Sequence, residues 1–282
     1  MPESLSFIEI IDQVITSSKA RLPVFNATAA RIQQEVAKEE PDTRRIEQLI
    51  VSDQALTAEV LRMSNSSFYK GLTQVTTVRN AIVRLGVNEV SNIVMTVTHE
   101  GQFRSKDPFL HGVMRKLWRH ALATSVAAHW LSRHCGLHAL AHEAFFGGLL
   151  HDVGKLFILT VIEDLVHSGA QGVTPSSAVL MEAMDHLHTT HGYTLMKHWN
   201  LPERYARIAR DHHLEAPDPE DHLALVVRLA DRACNKLGLG LKPEPELVLL
   251  ATPEAAELHL SEVDLAKMEI MLEDSQLVGN KS

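Results

Sequence analysis

Residues 147–159, with the sequence GGLLHDVGKLFIL, place a histidine, a carboxylate and a lysine among apolar side chains. His151 and Asp152 are adjacent, and Lys155 follows three residues later. A buried charge without a partner costs so much free energy that it is neutralised or paired with an opposite charge. We therefore expect other polar groups to face this segment.

Residues of the same chemical type occur at four other places in the chain. Imidazole and carboxylate groups suit divalent metals such as iron, manganese and zinc, and no softer ligand accompanies them. The spacing leaves the choice between His188 and its neighbours His186 and His191 open. The candidate metal ligands are His120, His151, Asp152, His188, His212, His213 and Asp231.

Asp152 is the residue that suggests more than one ion. Successive helix residues point about 100° apart, so His151 and Asp152 do not aim at one point within an unbroken helix. A carboxylate has two oxygens and can bind two ions. The pattern favours a binuclear site, and a metal-free network of Asp–His hydrogen bonds is the alternative.

Composition argues against several classes of protein. The chain has 282 residues, of which 45% are hydrophobic, as expected of a globular protein. Its 27 basic and 35 acidic residues give a net charge of −8, so we expect no nucleic acid partner. The two cysteines lack CxxC spacing, which argues against disulfide and thiolate zinc sites. The apolar runs are shorter than the ~20 residues of a membrane span, so we predict no membrane segment. The sequence also shows no signal sequence, so we predict a cytoplasmic protein.

Apolar residues recur at helical spacing along nearly the whole chain, without convincing strand-like alternation. We therefore predict an all-α fold. Asp53 and Thr77 are expected to begin helices as N-caps. Gly86, Gly136 and Gly238 are expected to end helices.

The predicted fold has three parts along the chain. Residues 1–108 form an N-terminal helical subdomain, and residues 109–240 form a second helical subdomain that contains the candidate metal ligands. Residues 241–282 form a linker and a C-terminal helix. The stretch GLGLKPEPE marks this linker, because proline and glycine interrupt regular structure.

Several stretches also match a known family pattern. They are LPVFNATAARIQQEV, DQALTAEVLRMSNSSFY and VRNAIVRLGVNEV, followed by FFGGLLHDVGKL, HTTHGYTLMKHWNLPERYARIARDHH and RLADRACNKLG. With these stretches the chain resembles the HDOD family, a branch of the HD phosphohydrolase superfamily found in bacterial signalling proteins. The resemblance implies an N-terminal helical bundle packed on an HD-type helical domain, and a regulatory role.

Comparison with catalytic HD and HD-GYP phosphodiesterases implies that all seven candidate ligands bind metal. The HxxxG pattern selects His188, which Gly192 follows, and Lys155 matches the lysine of HDxGK. Lys116 stands where some HD-GYP enzymes have a glutamate, which argues against a third ion. The GYP motif is missing after His213, so hydrolysis of cyclic di-GMP is not implied.

Three functions follow from this resemblance. The first is a signalling protein that binds other signalling proteins, with a partner surface around Asn65 and Tyr69, although Asn65 is also expected to turn the chain after a helix. The second is a metal-dependent phosphohydrolase for a phosphoester or nucleotide, with Asp152 and Lys155 as catalytic residues. The third is a redox or ligand sensor based on the metal pair.

Overall fold

The structure is a computed structural model that describes residues 5–17, 20–66, 69, 74–168 and 176–275. Every regular element in these described ranges is a helix, so the all-α prediction is confirmed. The chain forms two compact units. One unit is Val24–Gln102, and the other joins Met1–Pro23 to Phe103–Ser282.

The unit Val24–Gln102 is a bundle of short helices around α6. Its helices are α2 (Ala27–Val36), α3 (Thr43–Val51), α4 (Gln54–Ser64), α5 (Val78–Leu85) and α6 (Val87–Glu100). Helix α6 contacts α2, α4 and α5. Ile32, Ile50 and Ile93 are fully buried and form part of the core of this unit.

The second unit contains the longest helix of the described chain. Its helices are α1 (Phe7–Thr16), α7 (Pro108–His134), α8 (Ala141–Leu150), α9 (Val153–His167), α10 (Ser177–His198), α11 (Glu203–Asp211), α12 (His222–Lys236), α13 (Pro253–Glu257) and α14 (Glu262–Asp274). Helix α7 contacts α8, α9, α12 and α14. Small residues permit close packing here, since a Cβ atom on Gly148 of α8 would lie 2.8 Å from Cα of Ser125.

The predicted helix ends agree with the structure. The Asp53 side chain accepts a hydrogen bond from the Leu56 amide at the start of α4, and Thr77 caps α5 in the same way. Gly136 and Gly238 follow α7 and α12 with φ angles of +76° and +72°. This left-handed conformation disfavours residues with a Cβ atom, which explains why glycine ends both helices.

The two units divide the chain differently from the predicted boundary at residue 108. Helix α1 packs on α9 and α10, so the first 23 residues belong with the second unit. Nε2 of His191 lies 2.9 Å from Oδ1 of Asp12, and Trp199 donates to the Pro23 carbonyl. At the other end, α13 packs on α12 and α14 packs on α7, within the same unit; residues 276–282 of the predicted C-terminal part lie outside the described residues.

Among the described residues, one stretch, His138–His167, is long and apolar enough to cross a membrane by length and composition, and its apolar window of 18 residues has a mean hydropathy of 1.6. The sequence prediction considered only uninterrupted apolar runs and did not identify it. In the structure, 89% of this apolar window is buried inside the protein. The stretch is divided into a short 3-10 helix, α8 and α9, and it forms core helices of the second unit.

Candidate metal centre

Side chains from α7, α10 and α12, from the α8–α9 junction and from the turn after α11 meet in one cluster. We define the His–Asp cluster as His120, His151, Asp152, His188, His212, His213 and Asp231. All these residues except His213 are buried. The structure therefore brings all seven candidate ligands together, and Lys155 lies beside them.

The break between α8 and α9 explains how adjacent residues reach the same cluster. Helix α8 ends at Leu150 and α9 begins at Val153, so His151 and Asp152 are not part of an unbroken helix. The backbone of Asp152 has φ −102° and ψ 15°, outside helical values. This change of direction removes the 100° separation that a continuous helix would impose.

Gly154 brings the start of α9 against the backbone of α10. A Cβ atom at this position would lie 1.9 Å from the carbonyl oxygen of His188 and 2.8 Å from the amide of Gly192. No side chain fits in this space. The glycine of HDVGK therefore sets the distance between Asp152 and His188.

The two carboxylate oxygens of Asp152 face different histidines. Oδ1 lies 3.4 Å from Nε2 of His212 and 3.6 Å from Nε2 of His188. Oδ2 lies 3.5 Å from Nε2 of His151 and 3.7 Å from Nε2 of His120. Asp152 thus separates two groups of histidines, one on each oxygen.

Backbone carbonyls orient the imidazole rings. Nδ1 of His151 donates to the Gly148 carbonyl over 2.8 Å, and Nδ1 of His188 donates to the Met184 carbonyl over 2.7 Å. Nδ1 of His212 donates to carbonyls near the end of α11. A carbonyl only accepts, so each Nδ1 carries a hydrogen, and a ring that is neutral then presents an Nε2 lone pair to the cluster. Such outer hydrogen bonds typically orient metal-binding histidines.

Several inward-facing atoms of the cluster form no hydrogen bond. They are Nε2 of His151, His188 and His212, and Oδ1 of Asp152. Buried polar atoms normally have a partner, and a group of acceptors that face one another is satisfied by a cation or by a proton donor. The donor set and this arrangement fit a divalent metal.

The electrostatics keep the ligands in metal-binding form. Burial lowers the pKa of His151 to about 4 and the pKa of His188 to about 3, so both rings are neutral at pH 7. Burial acts to raise the pKa of Asp152, but the neighbouring groups, of which the Lys155 ammonium has the largest effect, hold that pKa well below its usual value. The pKa of Lys155 is raised, since Asp152 more than offsets the effect of burial. The site therefore contains a carboxylate and an ammonium group.

His120 and Asp231 form a pair through Nε2 and Oδ1 without a metal, and Nδ1 of His120 has no hydrogen-bond partner among the described residues. Nε2 of His120 lies 3.0 Å from Oδ1 of Asp231. Asn235, which the sequence prediction missed, donates to the same oxygen over 2.9 Å. Its position four residues after Asp231 on α12 was the available signal, because such residues share a helix face. The hydrogen-bonded network thus provides partners for Nε2 of His120 and Oδ1 of Asp231, whereas the four atoms named above have none among the described residues.

The structure distinguishes the three neighbouring histidines of α10. His186 is exposed, and its Nδ1 donates to the Glu182 carbonyl. His191 pairs with Asp12 of α1. His188 faces the His–Asp cluster, which agrees with the choice based on the HxxxG pattern.

A cavity of about 250 Å³ opens beside the cluster. It is lined by the cluster residues His120, Asp152, His188 and His213, together with Leu117, Lys155, Met181, Met184, Asp185, Asn235, Leu241, Lys242 and Glu244. Lys242 forms an ion pair with Asp185. The sequence prediction missed Lys242 and Glu244, because no local pattern shows that the predicted linker returns to the site, and it missed Asp185 of α10, which Lys242 pairs with.

Solved structures of other proteins share this fold. An HDOD domain protein of unknown function from Geobacter sulfurreducens has a TM-score of 0.76 and 21% identity, with 96% of each chain covered. A proposed metal-dependent phosphohydrolase from Shewanella amazonensis SB2B has a TM-score of 0.69 and 16% identity, covering 94% of this chain and 97% of that chain. A proposed signal transduction protein from Marinobacter aquaeolei VT8 has a TM-score of 0.67 and 21% identity, covering 92% of this chain and 58% of that chain. At these identities the similarity shows the fold alone.

The sequence comparisons identify the family. An uncharacterized protein of Treponema pallidum (strain Nichols) is 24% identical over 213 residues, which are 74% of this chain and 41% of that protein. The chain thus spans less than half the length of this relative. The family model of the HDOD domain matches residues 22–215, which is more than half of the chain. The chain belongs to the HDOD family.

Proposed function

We propose that this HDOD protein is a signal-transduction regulator whose His–Asp cluster holds divalent metal. The observation that carries the proposal is the set of four buried ligand atoms that face one another without hydrogen bonds. A cation removes the cost of burying these acceptors together. Membership of the HDOD family supports the regulatory role, as does the likeness in fold to the proposed signal transduction protein from Marinobacter aquaeolei VT8.

The centre would hold two ions, and Asp152 is the residue that both groups of candidate ligands share. His188, His212 and His213 lie on the Oδ1 side, where their ligand atoms and that of Asp152 are all within 4.8 Å of one another. His120 and His151 lie on the Oδ2 side, with Asp231 next to His120. Imidazole and carboxylate ligands fit iron, manganese or zinc.

Hydrolysis of a phosphoester is the second candidate function, and the cavity beside the cluster is the observation that favours it. A bound metal pair supplies a water of lowered pKa and a Lewis acid for phosphate oxygens. The Lys155 ammonium lines the cavity and would attract a phosphate group. The apolar side chains of Leu117, Met181 and Leu241 would contact the organic part of a phosphoester or nucleotide.

The regulatory proposal also requires a partner, which we expect to be another signalling protein. Asn65 is a poor probe for the predicted partner surface, because its side chain closes a loop. Its Nδ2 donates to the carbonyls of Leu61 and Val75, and its Oδ1 accepts from the Val75 amide. Tyr69 donates to Glu89 within the same unit. Substitution of either residue would alter the unit itself.

One set of assays separates the two candidate functions. The protein is purified without chelator and without a metal-affinity tag, beside Asp152→Ala and His151→Ala/Asp152→Ala variants, and assayed with nitrophenyl phosphoesters and cyclic nucleotides. The regulatory proposal predicts bound metal and no hydrolysis above the level of the variants. Hydrolysis that is lost in Asp152→Ala and on metal removal would instead establish a phosphohydrolase.

A further inference from the structure

We infer that Arg228 and Glu254 position the turn that carries His212 and His213, and so set the metal affinity of the cluster. The inference rests on the proposed metal site. It concerns two residues beyond residue 215, where the match to the HDOD family model ends. Neither residue is a candidate ligand.

His212 and His213 occupy the centre of a tight turn after α11. The Leu214 amide donates to the Asp211 carbonyl over 3.0 Å and closes this turn. The His212 amide also donates to the Ile208 carbonyl, but that bond continues α11 and does not cross the turn. A turn that one backbone hydrogen bond closes is able to open. His213 is exposed, so packing alone does not fix this residue.

The Arg228 guanidinium joins both ends of the turn. Nη1 donates to the Asp211 carbonyl over 2.8 Å, and Nη2 donates to the Leu214 carbonyl over 2.5 Å. The two histidines lie between these carbonyls in the chain. Arg228 therefore holds the residues on both sides of the histidine pair.

Glu254 of α13 holds the guanidinium from the other side. Nε of Arg228 donates to Oε1 of Glu254 over 2.7 Å, with 2% of the arginine side chain and 0% of the glutamate side chain exposed. A buried cation of this kind needs an opposite charge. Arg232 lies near the other oxygen, with Nε 3.5 Å from Oε2 of Glu254. Helix α13 thus supplies the carboxylate that keeps Arg228 in place.

Helix α12 connects this arrangement to the other side of the cluster. Asp231 follows Arg228 by three residues on α12, and three residues are about one helical turn. The same helix therefore presents a candidate ligand and fixes the turn that carries two others. This geometry sets the distance between Asp231 and the His212–His213 pair.

Only arginine fits this position. Its planar guanidinium presents nitrogen donors in several fixed directions, and three of them have separate acceptors here. A lysine ammonium is a point charge that cannot reach all three acceptors. Arg228→Lys keeps the positive charge and removes the hydrogen bonds that hold both ends of the turn.

The test compares Zn²⁺ affinity of the full chain with that of Arg228→Lys and Glu254→Gln, by competition with a chelating dye. Loss of outer contacts to metal-binding residues typically weakens affinity about 10- to 100-fold, and we expect that range for Arg228→Lys and about tenfold for Glu254→Gln. Arg232→Gln is the matched control, because Arg232 contacts Glu254 and makes no such bond to the turn; its affinity should stay within about twofold. Circular dichroism checks that each variant is folded. If Arg228→Lys does not fold, the Zn²⁺ affinity of Glu254→Gln is compared with that of the unchanged chain instead.

A second measurement does not need metal. In chelator-treated protein, the Leu214 amide should exchange its hydrogen faster in Arg228→Lys than in the unchanged chain or in Arg232→Gln. Wild-type affinity for Zn²⁺ in the folded variants would overturn the inference. If the unchanged chain binds no Zn²⁺, the proposed metal site fails, and the exchange rate alone decides whether Arg228 holds the turn; an unchanged rate overturns this too.

Discussion

Oδ1 of Asp152 lies 3.4 Å from Nε2 of His212, which is longer than an ordinary hydrogen bond, and neither atom has a closer hydrogen-bond partner among the described residues. Nδ1 of the His212 ring donates to backbone carbonyls, so in the neutral form of this ring the Nε2 lone pair faces a carboxylate oxygen. Lys155 pairs with the other oxygen of this carboxylate, so two buried acceptors in this arrangement need a second cation or a proton donor between them. The contact joins the α8–α9 junction to the turn after α11, and it is the strongest single argument for metal at this site.

We predict that Lys155 contributes more to the free energy of unfolding in the metal-free protein than in the metal-loaded protein. Its Nζ lies 2.6 Å from Oδ2 of Asp152, and the pair is largely buried. Removal of one partner of a buried pair costs about 3 kcal/mol. Lys155→Met should therefore lower the free energy of unfolding strongly after chelator treatment and less with metal bound, because the ions then balance the carboxylate.

Chemical denaturation of both forms, with and without metal, measures this difference. Lys197→Met is the control, since Lys197 pairs with Glu203 at the surface and half of its side chain is exposed. Exposed pairs contribute at most about 1 kcal/mol, independent of the metal. An equal loss in the two forms of Lys155→Met would show that no cation lies beside Asp152.

Gly154 is predicted to be intolerant of even a methyl group. Gly154→Ala would place Cβ 1.9 Å from the His188 carbonyl oxygen, so α9 and α10 must separate. We expect a loss of about 3 kcal/mol of stability, at the upper end of the usual cost of overpacking, together with weaker metal binding. Thermal unfolding and metal titration test both effects.

Gly112→Ala is the control for Gly154→Ala. Gly112 lies within α7 and is exposed, and a Cβ atom added to it would have no neighbouring atom within 4 Å. Gly112→Ala should raise stability by about 0.5–1 kcal/mol, because alanine favours a helix. Equal stability of the Gly154→Ala and Gly112→Ala variants would contradict the close approach of α9 to α10.

We predict that the unit Val24–Gln102 loses stability in acid because of His99. Burial lowers its pKa to about 4, from the usual value of 6.5 for histidine. The unfolded chain therefore takes up a proton first as the pH falls, and stability that is present above pH 6.5 is lost between about pH 6.5 and 4. A pKa difference of one unit between the folded and unfolded chain corresponds to about 1.4 kcal/mol. His99 therefore accounts for a loss of about 2 kcal/mol in the free energy of unfolding between about pH 7 and 5.

Urea unfolding of chelator-treated protein at these two pH values measures the loss. His99→Gln should reduce the loss by about 2 kcal/mol, whereas His186→Gln, at an exposed site, should leave it unchanged. The same pH dependence in the His99→Gln variant and the unchanged chain would contradict the assignment.

The sequence predicted the helical fold well where a local signal marks a helix end. Asp53, Thr77 and the glycines after α7 and α12 act at positions that their own neighbours determine. Helix α1 was missed, although Ser6 and Glu9 form a capping box at its start. Its place beside α10 depends on contacts such as Asp12 with His191, which are far apart in the chain.

In the candidate site, too, the sequence predicted what local signals determine and did not predict what depends on long-range contacts. Residue type and family resemblance identified the seven residues that the structure brings together, but not how His151 and Asp152 reach one cluster, because the break between α8 and α9 was not foreseen. Arg228 and Glu254 carry no local signal, since their roles arise from long-range contacts. His99 was not considered, and its burial follows from the packing of α6.

The most direct test of the metal centre compares His188→Gln with His191→Gln by elemental analysis of protein purified without chelator or metal-affinity tag. The two residues are neighbours on α10, but His188 faces the cluster and His191 pairs with Asp12. We predict about two equivalents of iron, manganese or zinc in the unchanged chain and in His191→Gln, and a clear loss in His188→Gln. Less than about a tenth of an equivalent in the unchanged chain, even after metal is added back, or equal metal in both variants, would contradict a metal centre at these residues.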